Sequence, residues 1–218
     1  MTGYWKRVIA RYTDGGLSFG NVPRFMGHSL ARLFDCSVIT RGTNQAAALQ
    51  TDPDCLLVPF INPVNSLITN AAVSINVVAF GGNFSIAIYR DTFKSDFSAP
   101  GLEFFSLVRE LEVGSTEILG LQYTNIPAFQ LDQGFYWLAV RTNVGGVFVD
   151  GFHHDNGTLG LTGYDPADIF RPTPFLHGLT TGTAFPNWPV LLTVDPKVSQ
   201  LDYPRIFLEF SRLTDGAP

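Results

Sequence analysis

Charge is scarce in this chain. Only 15% of its 218 residues are Asp, Glu, Lys or Arg, and just three of those are lysines, against about a quarter charged in an ordinary soluble domain. A hydrophobic content of 45% on that background excludes a disordered acidic chain, which needs low hydrophobicity and high net charge. So little charge implies surface that an assembly covers. Cysteine is nearly missing too: Cys36 and Cys55 are the whole complement, too few for a disulfide framework or a zinc site. They read as two reduced, partly buried thiols of a protein made in the cytosol. No apolar run reaches the roughly 18 residues of a membrane span. The opening Met-Thr-Gly-Tyr-Trp-Lys-Arg lacks the charged region and apolar core of a secretion signal, so neither membrane insertion nor signal-peptide export is expected. Helical periodicity long enough to link parallel strands is also missing.

What is present is turn chemistry and aromatics: 21 Gly, 14 Pro and 19 Phe. Short apolar runs alternate between such turns. In Val73-Ser74-Ile75-Asn76-Val77 the apolar residues fall at every second position, as do Phe84, Ile86 and Ile88 after Gly81-Gly82-Asn83. That period marks half-buried strands, and the glycine pair predicts a hairpin. Phe104 to Val113 reads as a strand with a charged outer face of Arg109, Glu110 and Glu112. Phe135 to Arg141 is the strongest strand, with a second hairpin predicted at Gly145-Gly146 before Val147-Phe148-Val149. Ile206 to Phe210 closes the series. Many short strands with frequent turns predict an all-β fold, an antiparallel sandwich or barrel. Residues 1–50 read as an extended arm with little core of its own. Residues 51–218 read as the β domain, with a long irregular insertion at about 150–190.

The net charge of −5 is unevenly spread. Residues 1–41 hold six basic groups and two acidic ones, giving +4, and the remaining residues hold eight and seventeen, giving −9. Lys6, Arg7, Arg11, Arg24 and Arg32 are the candidate arm residues for docking on an acidic partner, including another copy of the chain. The arginines are dispersed and the body is acidic, so no nucleic acid is expected as a partner.

Motifs of catalysis are imitated without their context. Gly16-Leu17-Ser18-Phe19-Gly20 fits the G-x-S-x-G nucleophile elbow, but that elbow sits atop a parallel α/β sheet and too little chain precedes Ser18 to supply it. Gly27-His28-Ser29-Leu30-Ala31 is a near variant with the same difficulty. His153-His154-Asp155 resembles metal ligands, yet neighbours on a strand point to opposite faces. Glu110 and Glu112 share a strand face, the ordinary pattern of a solvated edge. Asp52-Pro53-Asp54 lacks the further ligands of a calcium loop. No catalytic residue, cofactor or metal is expected. Asn83-Phe84-Ser85 and Asn156-Gly157-Thr158 fit the glycosylation sequon and read as turns. The loop aromatics Phe152, Tyr164, Phe170, Phe175 and Trp188 have two readings: contacts to subunits or sugar rings, or plugs for the open ends of the β domain.

Several strands also carry a family likeness. Leu57-Val58-Pro59-Phe60, Ala72 to Val78, Ser85-Ile86-Ala87-Ile88-Tyr89-Arg90-Asp91, Asp132 to Val140 and Tyr203-Pro204-Arg205-Ile206-Phe207-Leu208 together resemble the β-sandwich domain of tailed-phage structural proteins, including tail-fibre-like and other minor virion proteins. Asp132-Gln133 stands where that family has a proline before the glycine, and Ala87 replaces its glycine before Ile-Tyr. The resemblance implies an antiparallel β-sandwich of jelly-roll type with an extended N-terminal arm. It further implies a non-enzymatic virion component, made in the host cytoplasm and tail-associated in a fibre, tail tip or baseplate. Its partners would be further copies of itself, a trimer favoured, other virion proteins and a host surface glycan. The alternatives are a head decoration protein whose arm clamps capsid subunits, and, from another class, a carbohydrate-binding or hydrolytic module.

Overall fold

The structure is a computed structural model that describes residues 32–35, 42–62, 65–91, 103–132, 134–154, 164–165, 168–172, 176–195 and 202–211. The alternating runs do form strands, and no helix occurs among the described residues. In chain order the strands are β1 (Arg32–Asp35), β2 (Gly42–Ala48), β3 (Asp54–Asn62), β4 (Ser66–Val77), β5 (Asn83–Asp91), β6 (Glu103–Glu110), β7 (Gly114–Ser115) and β8 (Gly120–Leu131). They continue as β9 (Gly134–Thr142), β10 (Phe148–His154), β11 (Tyr164–Asp165), β12 (Asp168–Pro172), β13 (Leu176–Leu179), β14 (Leu191–Asp195), β15 (Asp202–Pro204) and β16 (Ile206–Ser211). All of their strand pairings are antiparallel.

One sheet runs β6-β14-β13-β3-β9-β5, and β5 pairs back onto β6, so six strands close into a barrel. Closure leaves the ring no open edge. Short β7 extends the ring along β5, opposite Asn83 and Phe84. The other sheet is built around β4, with β8 along one side. On its other side lie β16 and then the start of β10. β1 extends β16, while β2 and β15 flank β10. This second sheet curves as a half-barrel against the closed one. β11 and β12 form a separate hairpin.

The barrel explains a strand that is apolar on both faces. Along β9, Tyr136, Leu138 and Val140 join the core between the two sheets, together with Phe84, Ile86 and Ile88 of β5, Ile68, Val73 and Ile75 of β4, and Ile206 and Leu208 of β16. The alternate residues Trp137 and Ala139 fill the barrel interior with Cys55, Leu57, Ala87, Tyr89, Phe105 and Leu192. A small barrel is filled by its own side chains when large and small residues alternate around it. Phe105 stacks on Trp137 with ring centroids 5.0 Å apart, and Gly178 on β13 leaves the room: a Cβ there would lie 2.5 Å from the Cys55 sulfur and 2.9 Å from a Leu192 methyl.

Three expectations change on contact with this topology. The two glycine turns are corners between sheets, since β4 and β10 lie in the half-barrel and β5 and β9 in the barrel. Gly81 and Gly146 still take the left-handed backbone, at φ 69° and 82°, that makes glycine the residue of choice there. The signal for a tight turn was correct; its geometry does not tell a hairpin from a corner when the strands on both sides bury apolar faces in one core. Second, the stretch read as irregular supplies β13, which pairs β3 and β14 and completes the ring. Two antiparallel layers face each other as in a sandwich, but one of them is a closed barrel. Third, β2 pairs β10 throughout its length, and Ala47 and Leu49 are core residues, so residues 42–50 are built into the sheet. Residues 1–31 lie outside the described residues. Pro59 sits inside β3 without disrupting it. Among the described residues its pairing partner is Trp137 of β9, the described register with β13 running from Asp54 to Leu57.

Candidate functional site

The same alternation that sends Trp137 and Ala139 inward carries Arg141 to one end of the barrel. It is fully buried, where an unpaired charge would cost several kcal/mol, on the order of 3–5. Its partners come from two parts of the chain. Nη1 forms an ion pair with Asp52, which precedes β3, and donates to Thr180 Oγ1 at 2.7 Å and to the Thr183 carbonyl at 3.3 Å. Nη2 donates to the Asn187 carbonyl. The guanidinium lies 4.7 Å from the Trp188 ring centroid, a cation–π distance that stabilises a desolvated charge.

Around this cation, residues 180–190 form a plug across the barrel end. The Phe185 amide donates to Asp52 at 3.0 Å, and the Thr180 amide donates to the Pro53 carbonyl at 2.7 Å. Trp188 Nε1 donates to Ser85 Oγ at 2.7 Å, and its backbone amide donates to Glu110 at 2.7 Å. Tyr89 donates to the Pro189 carbonyl at 2.8 Å. Trp188 is buried against Tyr89 and the barrel interior. Of the two readings of the loop aromatics, plugging is what Trp188 does.

This cluster is committed to structure. The Asp52 carboxylate and the loop carbonyls take up both terminal nitrogens of the guanidinium, while its buried Nε has no hydrogen-bond partner among the described residues. Burial pushes the Cys55 thiol well above its ordinary pKa, an effect the nearby Arg141 charge only partly offsets, so Cys55 is held as an inert thiol. Burial also raises the Tyr89 hydroxyl. A folded-state pKa above the unfolded one gives stability that is complete below the unfolded value and lost above it. In a Cys36→Ser background, unfolding free energy should therefore fall above about pH 8.5, with a slope up to about 1.4 kcal/mol per pH unit from this thiol. Cys55→Ala should flatten that slope in denaturant titrations between about pH 8 and 10. A slope unchanged by Cys55→Ala would contradict the buried thiol.

A second feature is a surface. The turn carrying Phe80 is zipped to residues 114–119: the Ala79 amide donates to the Thr116 carbonyl, the Thr116 amide to the Gly82 carbonyl, and the Gly81 amide to Glu117 at 2.7 Å. Beside it, Val77 pairs with Phe148, and β8 begins with Gly120 opposite Ile75 and Leu121 opposite Ser74. The zipped turn thus carries the exposed apolar residues Phe80 (89% exposed), Leu119 (63%) and Ile118 (62%), and Val77, Leu121 and Tyr123 of the adjoining β4 and β8 are exposed as well.

The remaining sequence candidates are scattered. Lys6, Arg7, Arg11, Arg24, Phe175, Cys36 and both imitated nucleophile elbows lie outside the described residues. Arg32 opens β1 opposite Phe210. Phe152 lies in β10, Tyr164 in β11 and Phe170 in β12, the last two on the separate hairpin. His153 and His154 are consecutive in β10, and among the described residues no three His, Cys, Asp or Glu side chains gather as metal ligands. Glu110 caps the plug through the Trp188 amide rather than pairing with Glu112. The sequon at Asn83 leads into the buried Phe84 and Ser85. Sequence reasoning missed Arg141 and Asp52. The available signal was a lone arginine ending an apolar strand in phase with Trp137 and Ala139.

No family model matches this chain, and no curated protein matches it.

Proposed function

We propose that this chain is a non-enzymatic structural protein of a tailed-phage virion. It is tail-associated, in a fibre, tail tip or baseplate, and works as a homo-oligomer, a trimer favoured, that contacts other virion proteins and a host surface glycan. The observation that carries the reading is the apolar corner of Val77, Phe80, Ile118, Leu119 and Leu121. In a chain with this little charge, exposed aliphatic and aromatic residues at one end of the sheet are what subunit contact would cover. The likeness of Leu57–Phe60, Ala72–Val78, Ser85–Asp91, Asp132–Val140 and Tyr203–Leu208 to tailed-phage structural proteins adds support. The jelly-roll topology belongs to this reading and is the finer form of the antiparallel all-β architecture.

Copy number per purified particle, by quantitative mass spectrometry against the major capsid protein, tests it. A low number in multiples of three or six is the expected result. A number near that of the capsid protein would move the chain to the head as a decoration subunit. Absence from particles would overturn the virion reading and reopen the glycan-binding and hydrolytic alternatives.

A further inference from the structure

The segments that build the apolar corner, residues 77–83, 112–123 and 142–150, contain three acids, Glu112, Glu117 and Asp150, and no lysine, arginine or histidine. Glu112 and Glu117 are exposed beside Val113, Ile118 and Leu119. Among the described residues β8 pairs β4 alone. The corner therefore combines apolar contact with negative charge.

One segment of the chain has the complementary chemistry. Residues 1–12, Met-Thr-Gly-Tyr-Trp-Lys-Arg-Val-Ile-Ala-Arg-Tyr, carry three basic groups and no acid, interleaved with Tyr4, Trp5, Val8, Ile9 and Tyr12. Opposite charges at the rim steer and orient such a contact, while the buried aromatic and aliphatic residues supply its affinity. Residues 13–31 can bridge up to about 60 Å when extended, against a radius of gyration of about 17 Å for a domain this long. The segment can thus reach an adjacent molecule.

We infer that residues 4–12 of one copy dock on the Phe80–Ile118–Leu119 corner of a neighbouring copy, with Lys6, Arg7 and Arg11 facing Glu112 and Glu117. The inference rests on the assembly reading above and names the contact that would build the oligomer.

A photo-crosslinking residue placed at position 80 of the full chain tests it, because the exposed Phe80 side chain is replaceable without touching the core. An equal mixture of isotopically light and heavy protein is irradiated and cleaved after acidic residues, which releases the N-terminus as residues 1–14. The expected product joins position 80 to that peptide, with mixed light–heavy pairs making up about half. Glu112→Lys, which leaves the Gly81–Glu117 hydrogen bond of the turn in place, should lower its yield at least twofold while the circular dichroism is unchanged. Crosslinks to another segment, crosslinks within one copy only, a yield indifferent to the charge reversal, or no crosslink would each overturn the inference. Intercopy crosslinks in a protein missing from particles would uphold the contact and remove only the virion role. A protein present on particles without the crosslink would do the reverse.

Discussion

Asp52→Ala is expected to destabilise the fold by about 3–5 kcal/mol, the cost of leaving a buried charge without its counter-ion. Arg141 is fully buried, whereas the Asp52 side chain is 39% exposed, so the two partners should respond unequally. Without Asp52 the guanidinium keeps only neutral acceptors, Thr180 Oγ1 and the carbonyls of Thr183 and Asn187, and the Phe185 amide loses its acceptor. Arg141→Met leaves a carboxylate that can turn to water, and its cost should be smaller, about 2–3 kcal/mol for the loop carbonyls stripped of their donor. The double variant should be more stable than Asp52→Ala alone. Guanidinium denaturation of the four proteins checks this as a double-mutant cycle. If Asp52→Ala costs less than Arg141→Met, or the double variant is the least stable, the account of a counter-ion for a buried cation fails.

Trp188→Ala should cost about 3–5 kcal/mol as well, by a different route. The indole is buried at the barrel end, packs edge-on against Tyr89 at 6.2 Å, covers the Arg141 guanidinium and donates to Ser85. Truncation leaves a cavity, an orphaned Ser85 acceptor and an uncovered cation at once. The local consequence is as specific as the global one. Amides of the plug, such as Thr183 and Asn187, which donate within the loop to Thr180 and Ala184, should lose hydrogen-exchange protection. Amides of β4 and β16, across the other core, should keep theirs until global unfolding. Trp188→Phe, which restores ring area without the Nε1 donor, should recover more than half of the loss. Equal loss of protection in β4 and in the plug would show that the loop is not a separately anchored element.

Much of the local structure was legible in the sequence. Phe84, Ile86 and Ile88 lie on one face of β5 and reach the core as their spacing required, as do Ile206 and Leu208 of β16. Phe135 to Arg141 is strand throughout, within β9. The apolar residues on both faces of that strand, Tyr136, Leu138 and Val140 on one and Phe135 and Trp137 on the other, are in the sequence too. A sequence period records that both faces are apolar and carries nothing about what lies over each. The site residues were less legible. Asp52 and Arg141 are 89 positions apart, and no motif joins them, so nothing local relates them. Trp188 looked like any aromatic of a Gly- and Pro-rich stretch until the barrel gave that stretch an end to close.

The sequence by itself determined the antiparallel all-β class, the positions of the main strands and the inward parity of their side chains. Those follow from the period of alternation and from backbone preferences at Gly and Pro, both of which act over a few residues. Only the tertiary structure decided that β4–β5 and β9–β10 turn corners between sheets, that β13 closes a ring, and that Arg141 is neutralised inside it. Each of those depends on which strands meet across tens of residues. That choice is made by the fit of whole faces: Gly178 against Cys55, Phe105 against Trp137, and a charge that is tolerated only where Asp52 and the plug arrive together.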